Sequence, residues 1–394
     1  MINKLSITDL DLDGKLLFLR VDFNVPLAQG QVADDTRIKA ALPTIEFAIQ
    51  NNARIVLVSH LGRPQGQRRK ELSLYPVAGR LSSLLNQEVQ FVDDCIGSEV
   101  RSQVEILQPG QVLVMENLRF QDGEIKNDPE FARQLGMGVQ EYVNDAFGVA
   151  HRAHASTVGV PSLLGRGAAG FLVARELDYL SRVRHEPQHP VVAILGGAKV
   201  SDKIEVIESL LGFADTILIG GGMAFTFLQA RGESVGNSLV EQDKIEVAEG
   251  VIARARSRGV SLQLPVDSVV ARKCQPGVAT HVEISHIGEG WMGLDIGPQT
   301  VETFQQEIAR ANTLFWNGPL GVFEIEEFSL GTVAIAKAVA DSSALSVVGG
   351  GDSVTAVVQS GLGEAISHLS TGGGASLAFM AERALPGVEI LTDK

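Results

Sequence analysis

Four apolar runs in the second half of the chain each stop at a glycine cluster. Val191–Leu195 leads into Gly196, Gly197, Ala198 and Lys199, and Thr216–Ile219 leads into Gly220, Gly221 and Gly222. Residues 345–348 lead into Gly349, Gly350, Gly351 and Asp352, and residues 366–370 run into Thr371, Gly372, Gly373 and Gly374. Each run reads as a buried strand ending in a turn with bare backbone N–H groups. Without a Cβ in the way, a phosphate can approach those groups, and a following helix adds the positive end of its dipole. Together the four turns predict one sheet edge built to hold phosphates.

The rest of the chain continues the pattern. Further short apolar runs lie at Leu16–Val21, 55–59, Val89–Val92, 112–116, 142–144, 261–264 and 313–316, separated by helix-like stretches. Runs of this length in this alternation predict parallel sheets covered on both faces. A chain of 394 residues accommodates two such domains. The expected fold class is therefore α/β, with two doubly wound, mainly parallel-sheet domains. The seam is placed by Phe171–His185, whose apolar stripe of Val173, Leu177, Leu180 and Val183 reads as a helix, and by the polar, proline-containing stretch 186–190. Expected domains are 1–170 and 191–375, with a connecting helix and linker at 171–190. No repeat of solenoid period is visible.

Composition narrows the function. The net charge of −14 argues against general nucleic-acid binding, which rests on neutralising phosphates. An acidic protein that binds anions needs a local basic patch. Cys95 and Cys274 have no CxxC spacing, which argues against a disulfide scaffold or zinc site and fits a reducing compartment. The first ten residues do not read as a signal peptide, and no apolar stretch reaches membrane-spanning length, so no membrane partner and a cytoplasmic location are expected.

The basic patch is found by position. Arg37, Arg63, Arg119 and Arg152 all fall just after a strand or at the start of a helix. Singly, each reads as a surface charge. Shared placement at one sheet edge makes them a site for a small, multiply charged anion, which guanidinium forks suit. Asp22 and Asn24 alternate with apolar residues at the first strand end, as ligand groups or as a capped strand end with a surface ion pair. Arg37 opens a helix in which Pro43 is expected at an early turn. His60, beside Arg63, reads as a hydrogen-bond donor to the anion. His151 and His154 lack the further ligands a metal site needs.

The nucleotide side is marked by Lys199 and Lys203, four apart and expected on one face at a helix start. Cations there oppose the helix dipole unless an anion lies between them; a solvated helix end is the alternative. Asp352 reads either as an N-cap or as a magnesium ligand, and the two roles are compatible. The GxGxxG spacings at 165–170 and 288–293 are discounted. Pro161 interrupts the run before the first; the second is expected to lack both a preceding strand and a following helix. No GxxxxGK[ST] occurs.

The motifs in order resemble the phosphoglycerate kinase family across nearly the whole chain. They are RVDFNVP at 20–26, SHLGRP at 59–64, ENLRF at 116–120, AHRAHAS at 150–156, GGAKVSDK at 196–203, LPVD at 264–267, WNGPLGVFE at 316–324, GGGDS at 349–353 and STGGGAS at 370–376. The resemblance implies two Rossmann-like domains joined by a hinge helix, with residues 376–394 returning to the first domain. It implies reversible phosphoryl transfer between 1,3-bisphosphoglycerate with ADP and 3-phosphoglycerate with ATP, magnesium as cofactor, and a monomer. By motif, Asp22, Asn24, Arg37, His60, Arg63, Arg119, His151 and Arg152 are the implied glycerate site. Lys199, Lys203, Gly293, Glu324, Gly350, Gly351, Asp352 and Ser353 are the implied nucleotide site, with Glu324 on the ribose and Asp352 on magnesium. Arg37, Lys199 and Lys203 are the expected catalytic residues. Ser353 stands where threonine is common but keeps the hydroxyl; Ala378 stands where an acid often occurs. Two other readings compete: a nicotinamide-dependent dehydrogenase and a non-catalytic nucleotide sensor on the same fold.

Overall fold

The computed structural model describes residues 3–284 and 286–394. The chain forms two compact units, one of Met1–Asp178 with Ala384–Lys394, the other of Tyr179–Arg383.

The first unit is built on β1 (Leu16–Val21), β4 (Arg54–Val58), β5 (Val89–Val92), β6 (Val112–Met115), β7 (Glu141–Asp145) and β8 (Ala168–Ala169), beside a small hairpin of β2 (Leu27–Ala28) and β3 (Gln31–Val32). The six strands pair in the order β5-β6-β4-β1-β7-β8, every pair parallel. Parallel strands need crossovers, and the crossover helices cover the faces, so β1 is buried at all its positions. Ile38, Ala41 and Ile45 of the helix Thr36–Gln50 and Val77 and Leu81 of the helix Tyr75–Leu85 pack on Leu17, Leu19, Ile55 and Leu57. Pro43 lies in the interior of Thr36–Gln50 rather than at an early turn. Its missing N–H leaves one carbonyl of that helix without an intrahelical donor. The C-terminal residues complete this unit: Leu5 N donates to Thr392 O (2.8 Å), Asn144 Nδ2 to Gly387 O (2.9 Å), and Val388 and Leu391 are buried.

In the second unit β9 (Val191–Leu195), β10 (Thr216–Ile219), β11 (Ser261–Gln263), β15 (Thr313–Asn317), β16 (Leu345–Gly349) and β17 (His368–Leu369) pair in parallel in the order β11-β10-β9-β15-β16-β17. Numbered within the unit this is 3-2-1-4-5-6, the doubly wound order whose switch point lies between β9 and β15. An antiparallel sheet of β13-β12-β14 is inserted before β15, from β12 (Asp267–Ala271), β13 (His281–Ile284) and β14 (Met292–Ile296). The spacing at 288–293 therefore joins strands β13 and β14. A strand does precede it, and a strand rather than a helix follows. The spacing at 165–170 contains β8, a two-residue strand the sequence did not announce.

The glycine turns are less bare than expected. Gly196 N and Gly197 N donate to Asn317 O and Pro319 O (3.0 and 2.8 Å). Gly220 N and Gly221 N donate to Leu195 O and Leu320 O (2.8 and 2.9 Å), and Gly372 N to Ser370 Oγ (3.1 Å). Glycine is required at the strand ends because their backbones touch. A Cβ on Gly221, at φ 66°, would lie 2.7 Å from Gly197 N and 2.8 Å from Pro319 O. Gly361 has a similar φ of 72° but open space around it. Gly361→Ala should cost about 1 kcal/mol, the left-handed backbone alone, whereas Gly221→Ala should cost roughly 2–4 kcal/mol. Urea denaturation of the two variants measures the gap; equal losses would refute the close-packing role.

Candidate active site

Parallel strands bring their C-terminal ends to one edge, and the residues following β1, β4, β6 and β7 gather there in the first unit. The group is organised around Arg20, which is fully buried. Its Nε donates to Ser156 Oγ (2.9 Å), one Nη donates to Val21 O, and Nη2 meets His60 Nδ1 at 3.1 Å. Ser156 in turn donates through Oγ to Glu124 Oε1 (2.7 Å) and through N to Oε2 (3.0 Å). A guanidinium only donates, so His60 Nδ1 accepts and the ring proton sits on Nε2. Burial, reinforced by Arg20, Arg119 and Arg37 and opposed by Asp22, holds His60 well below the usual histidine range. It is a neutral donor, as a site for an anion's oxygen needs.

Asp22 faces opposite forces. Burial pushes its carboxyl up, but its neighbours His60, Arg37 and Arg20 bring it below the usual value. His60 is itself neutral, so the two guanidinium groups carry that effect. Arg37 Nη1 donates to Asp22 Oδ2 at 2.6 Å. Asn24 N donates to Asp22 Oδ1 (3.2 Å), and Asn24 Oδ1 accepts Gly62 N (2.8 Å), which ties down the segment carrying His60 and Arg63. Arg119 Nη1 donates to Gly62 O (2.8 Å), while its buried Nε has no partner. Burial, then repulsion from Arg20 and Arg152, pushes Arg119 down to about 10. Arg152 is exposed and donates from Nε to His151 Nε2 at 3.2 Å. Burial, then Arg152, lowers His151. Arg63 is exposed on the same segment as Gly62. The structure thus joins Asp22, Asn24, Arg37, His60 and Arg119 through direct bonds or shared partners, pairs His151 with Arg152, and leaves Arg63 at the rim.

In the second unit the helix begins at Ile204, after both lysines. Lys203 is its N-cap and Lys199 lies exposed in the turn before it, so the two do not share a helix face. Lys203 is buried and its Nζ bonds Asn317 Oδ1 at the end of β15. Burial pushes Lys203 down to about 8, against the pull of Asp202 and Asp352. Asn317 Nδ2 is buried without a partner and lies 3.0 Å from where a Cβ on Gly350 would sit. Gly350, at φ 92°, is the N-cap of the helix Gly351–Gln359; Asp352 is inside the first turn, not the cap. Ser353 Oγ accepts Gly318 N (2.6 Å). A cleft of about 530 Å³ opens beside these groups, with Gly293, Glu324 and Asp352 among its lining. Lys203 and Ser353 are buried near these strand ends, Gly350 is half-buried and Gly351 is exposed at the helix start.

Arg20, Asn317 and the Ser156–Glu124 pair were not singled out by sequence. Arg20 and Asn317 stand inside motifs already quoted, and the signal for both is a polar residue in the last two positions of an apolar strand. A family model described as phosphoglycerate kinase matches residues 7–383. The chain belongs to the phosphoglycerate kinase family. It is 55% identical to the phosphoglycerate kinase of Rubrobacter xylanophilus over 394 residues, covering 100% of this chain and 99% of that one. It is 49% identical to that of Clostridium botulinum (strain Hall) over 395 residues, with the same coverage. The solved phosphoglycerate kinase of Coxiella burnetii superposes with a TM-score of 0.89 at 42% identity, covering 98% of both chains. That of Pyrococcus horikoshii OT3 gives 0.86 at 34%, again over 98% of both. Membership makes the chain a glycolytic phosphotransferase that uses a phosphoglycerate and ATP or ADP, and the dehydrogenase reading falls.

Neutral burial of histidine has a consequence for stability. Burial, then Arg20, pushes His154 down to about 3. The folded state therefore binds fewer protons than the unfolded one below about pH 6.5, and stability is lost as pH falls. Asp145, which burial raises to about 6, acts with the opposite sign. The informative quantity is thus a difference: the stability advantage of wild type over His154→Gln should shrink by roughly 1.4 kcal/mol per pH unit between about pH 6 and 4. Denaturation midpoints across that range check it, and a constant difference would place His154 among ordinary histidines.

Proposed function

We propose that the cluster after β1, β4, β6 and β7 binds the glycerate substrate and that the second unit's cleft binds the nucleotide. One observation carries the first assignment: a neutral His60 and several guanidinium groups converge at one sheet edge, where the buried Arg119 Nε lacks a partner. Under this reading Arg63, Arg119 and Arg152 hold the glycerate end, His60 donates from Nε2, and His151 supports Arg152. Asp22 and Asn24 orient Arg37 and the segment 59–64.

On the nucleotide side Gly293 and Glu324 line the cleft for base and ribose. Lys203 and the residues Gly350, Gly351 and Ser353 meet the phosphates, beside Asn317. Asp352 suits magnesium, which takes one or two carboxylates and completes its shell with phosphate oxygens and water. When bound, the ion neutralises nucleotide phosphate charge.

In the ATP-consuming direction the attacking group is a carboxylate, ionised at neutral pH because carboxyl pKa values lie near ~4. No general base is required. The obstacle is repulsion between polyanions, so the chain's own work is positioning and charge stabilisation. Arg37 leaves Asp22 to meet the equatorial oxygens of the transferring phosphoryl group. Lys199, exposed in the second unit, meets the same group from the other side.

The two sets of residues belong to different units, so in-line transfer requires a closed, hinge-bent state induced by both ligands. That state also excludes water from the acyl phosphate. We place the enzyme in the cytoplasm as a monomer. Among the described residues no helix is long and apolar enough to cross a membrane.

The function is tested by coupling 3-phosphoglycerate and magnesium ATP to NADH oxidation through glyceraldehyde-3-phosphate dehydrogenase. Oxidation should need both substrates and stop with EDTA; oxidation that survives EDTA would remove the metal from the reading. Arg37→Ala should lower kcat by roughly 10³, and a loss under about tenfold would take Arg37 out of the transition state. In small-angle scattering the radius of gyration should fall only when both ligands are present; an unchanged radius would argue against closure.

A further inference from the structure

Asp295 is not among the residues assigned above, yet it stands in the wall of the nucleotide cleft. It lies on β14, is 3% exposed, and lines the cleft with Glu324 and Asp352. Its Oδ2 accepts Gly331 N at 2.7 Å and its Oδ1 accepts Ile296 N at 2.9 Å. Gly331 belongs to the first turn of the helix Leu330–Asp341, where backbone N–H groups have no intrahelical acceptor. The next residue extends the contact. Thr332 Oγ1 accepts Leu320 N (3.0 Å) and Gly321 N (3.1 Å). Val322 N donates to Leu294 O (2.9 Å), one residue before Asp295. A Cβ on Gly331 would come within 2.5 Å of Asp295 Oδ1, so the fit around the carboxylate leaves no slack. Carboxylate, helix start and the segment 320–322 form one interlocked piece, and that segment runs on to Glu324.

We propose that Asp295 is a positioning residue for nucleotide binding: by seating the first turn of Leu330–Asp341 it fixes the segment 319–324, and with it Glu324, at the cleft. The proposal rests on reading this cleft as the nucleotide site. An ionised carboxylate accepts both N–H groups; in a protonated one the oxygen that carries the proton is a poorer acceptor, so one of the two bonds weakens. Burial pushes Asp295 up to about 7, opposed by the N–H groups of Gly331 and then Ile296. Charged groups on the surrounding elements, namely Asp267, Arg272, Glu324, Glu326, Lys337 and Asp352, do not enter into that shift. The seat therefore loosens as pH falls through about 7. Because the folded value lies above the unfolded one, ionising Asp295 lowers stability as pH rises from about 4 to about 7. Function and stability pull in opposite directions at this one carboxyl, which separates a positioning role from a structural one.

The test is calorimetric titration of magnesium ADP, and separately of 3-phosphoglycerate, into the full chain and Asp295→Asn at pH 8 and pH 6. The expected result is a Kd for magnesium ADP about tenfold weaker in the variant at pH 8, the scale of one charge-assisted hydrogen bond. The ratio should close toward one at pH 6. Affinity for 3-phosphoglycerate should be unchanged, and the variant's melting temperature at pH 8 should equal or exceed wild type. Affinity within twofold of wild type at pH 8, or an equal loss for both ligands, overturns the proposal. If Asp295→Asn does not fold, Thr332→Val should show the same nucleotide-specific loss and Thr332→Ser should restore it; no loss in Thr332→Val overturns it equally. Wild type that fails to bind magnesium ADP would instead overturn the nucleotide reading of the cleft, and this inference with it.

Discussion

Arg20 is a guanidinium sealed inside the first unit, and the rest of that unit's site depends on how its donors are satisfied. A buried unpaired cation costs far more than a domain's net stability. Here Nε goes to Ser156, backed by Glu124, while the two terminal nitrogens reach Val21 O and His60 Nδ1. Those contacts decide the tautomer of His60 and add to the field that keeps Asp22 ionised and Arg119 depressed. The positive edge is held together by a network reaching inward, so it can exist without a ligand and still attract one.

The second unit solves a different problem. A nucleotide's phosphates must come close to backbone, and the strand ends must come close to each other. Glycine serves both needs, which is why the four turns look alike in sequence. At Gly196, Gly197, Gly220 and Gly221 the N–H groups are spent on neighbouring carbonyls. At Gly350 and Gly351 a helix of nine residues begins, and Asn317 Nδ2 waits unpartnered beside it. Composition of the turn does not distinguish the two cases; the crossing of the chain at β9 and β15 does.

That difference explains what was legible in sequence. The parallel strands and their two sheets could be read from apolar runs, because strands buried on both faces have little polar alternation. The arginine cluster could be read from its placement after strands. The antiparallel insert could not: β13 is short, largely exposed and without a continuous apolar run. The start of the helix at Ile204 was missed because Lys199 and Lys203 carry a spacing of four that the turn does not use helically. Pro43 was misplaced because its helix tolerates an interior proline that local rules would push to the first turn. Asp295 gave no signal at all. A lone acid in a strand reads as surface until the carbonyls and N–H groups around it are known.

The last eleven residues have a further meaning for how the protein is made. Leu5 and Asn144 bind to Thr392 and Gly387, so the first unit takes its closing contacts from residues that follow the whole of the second unit. Synthesis runs from the N-terminus, and domains generally fold as they emerge. A chain extended only to residue 383 holds every residue of the second unit but lacks the closing strip of the first. The part translated earliest is thus the part that must wait longest, exposing the groove meant for Val388 and Leu391 until residues 384–394 have been made.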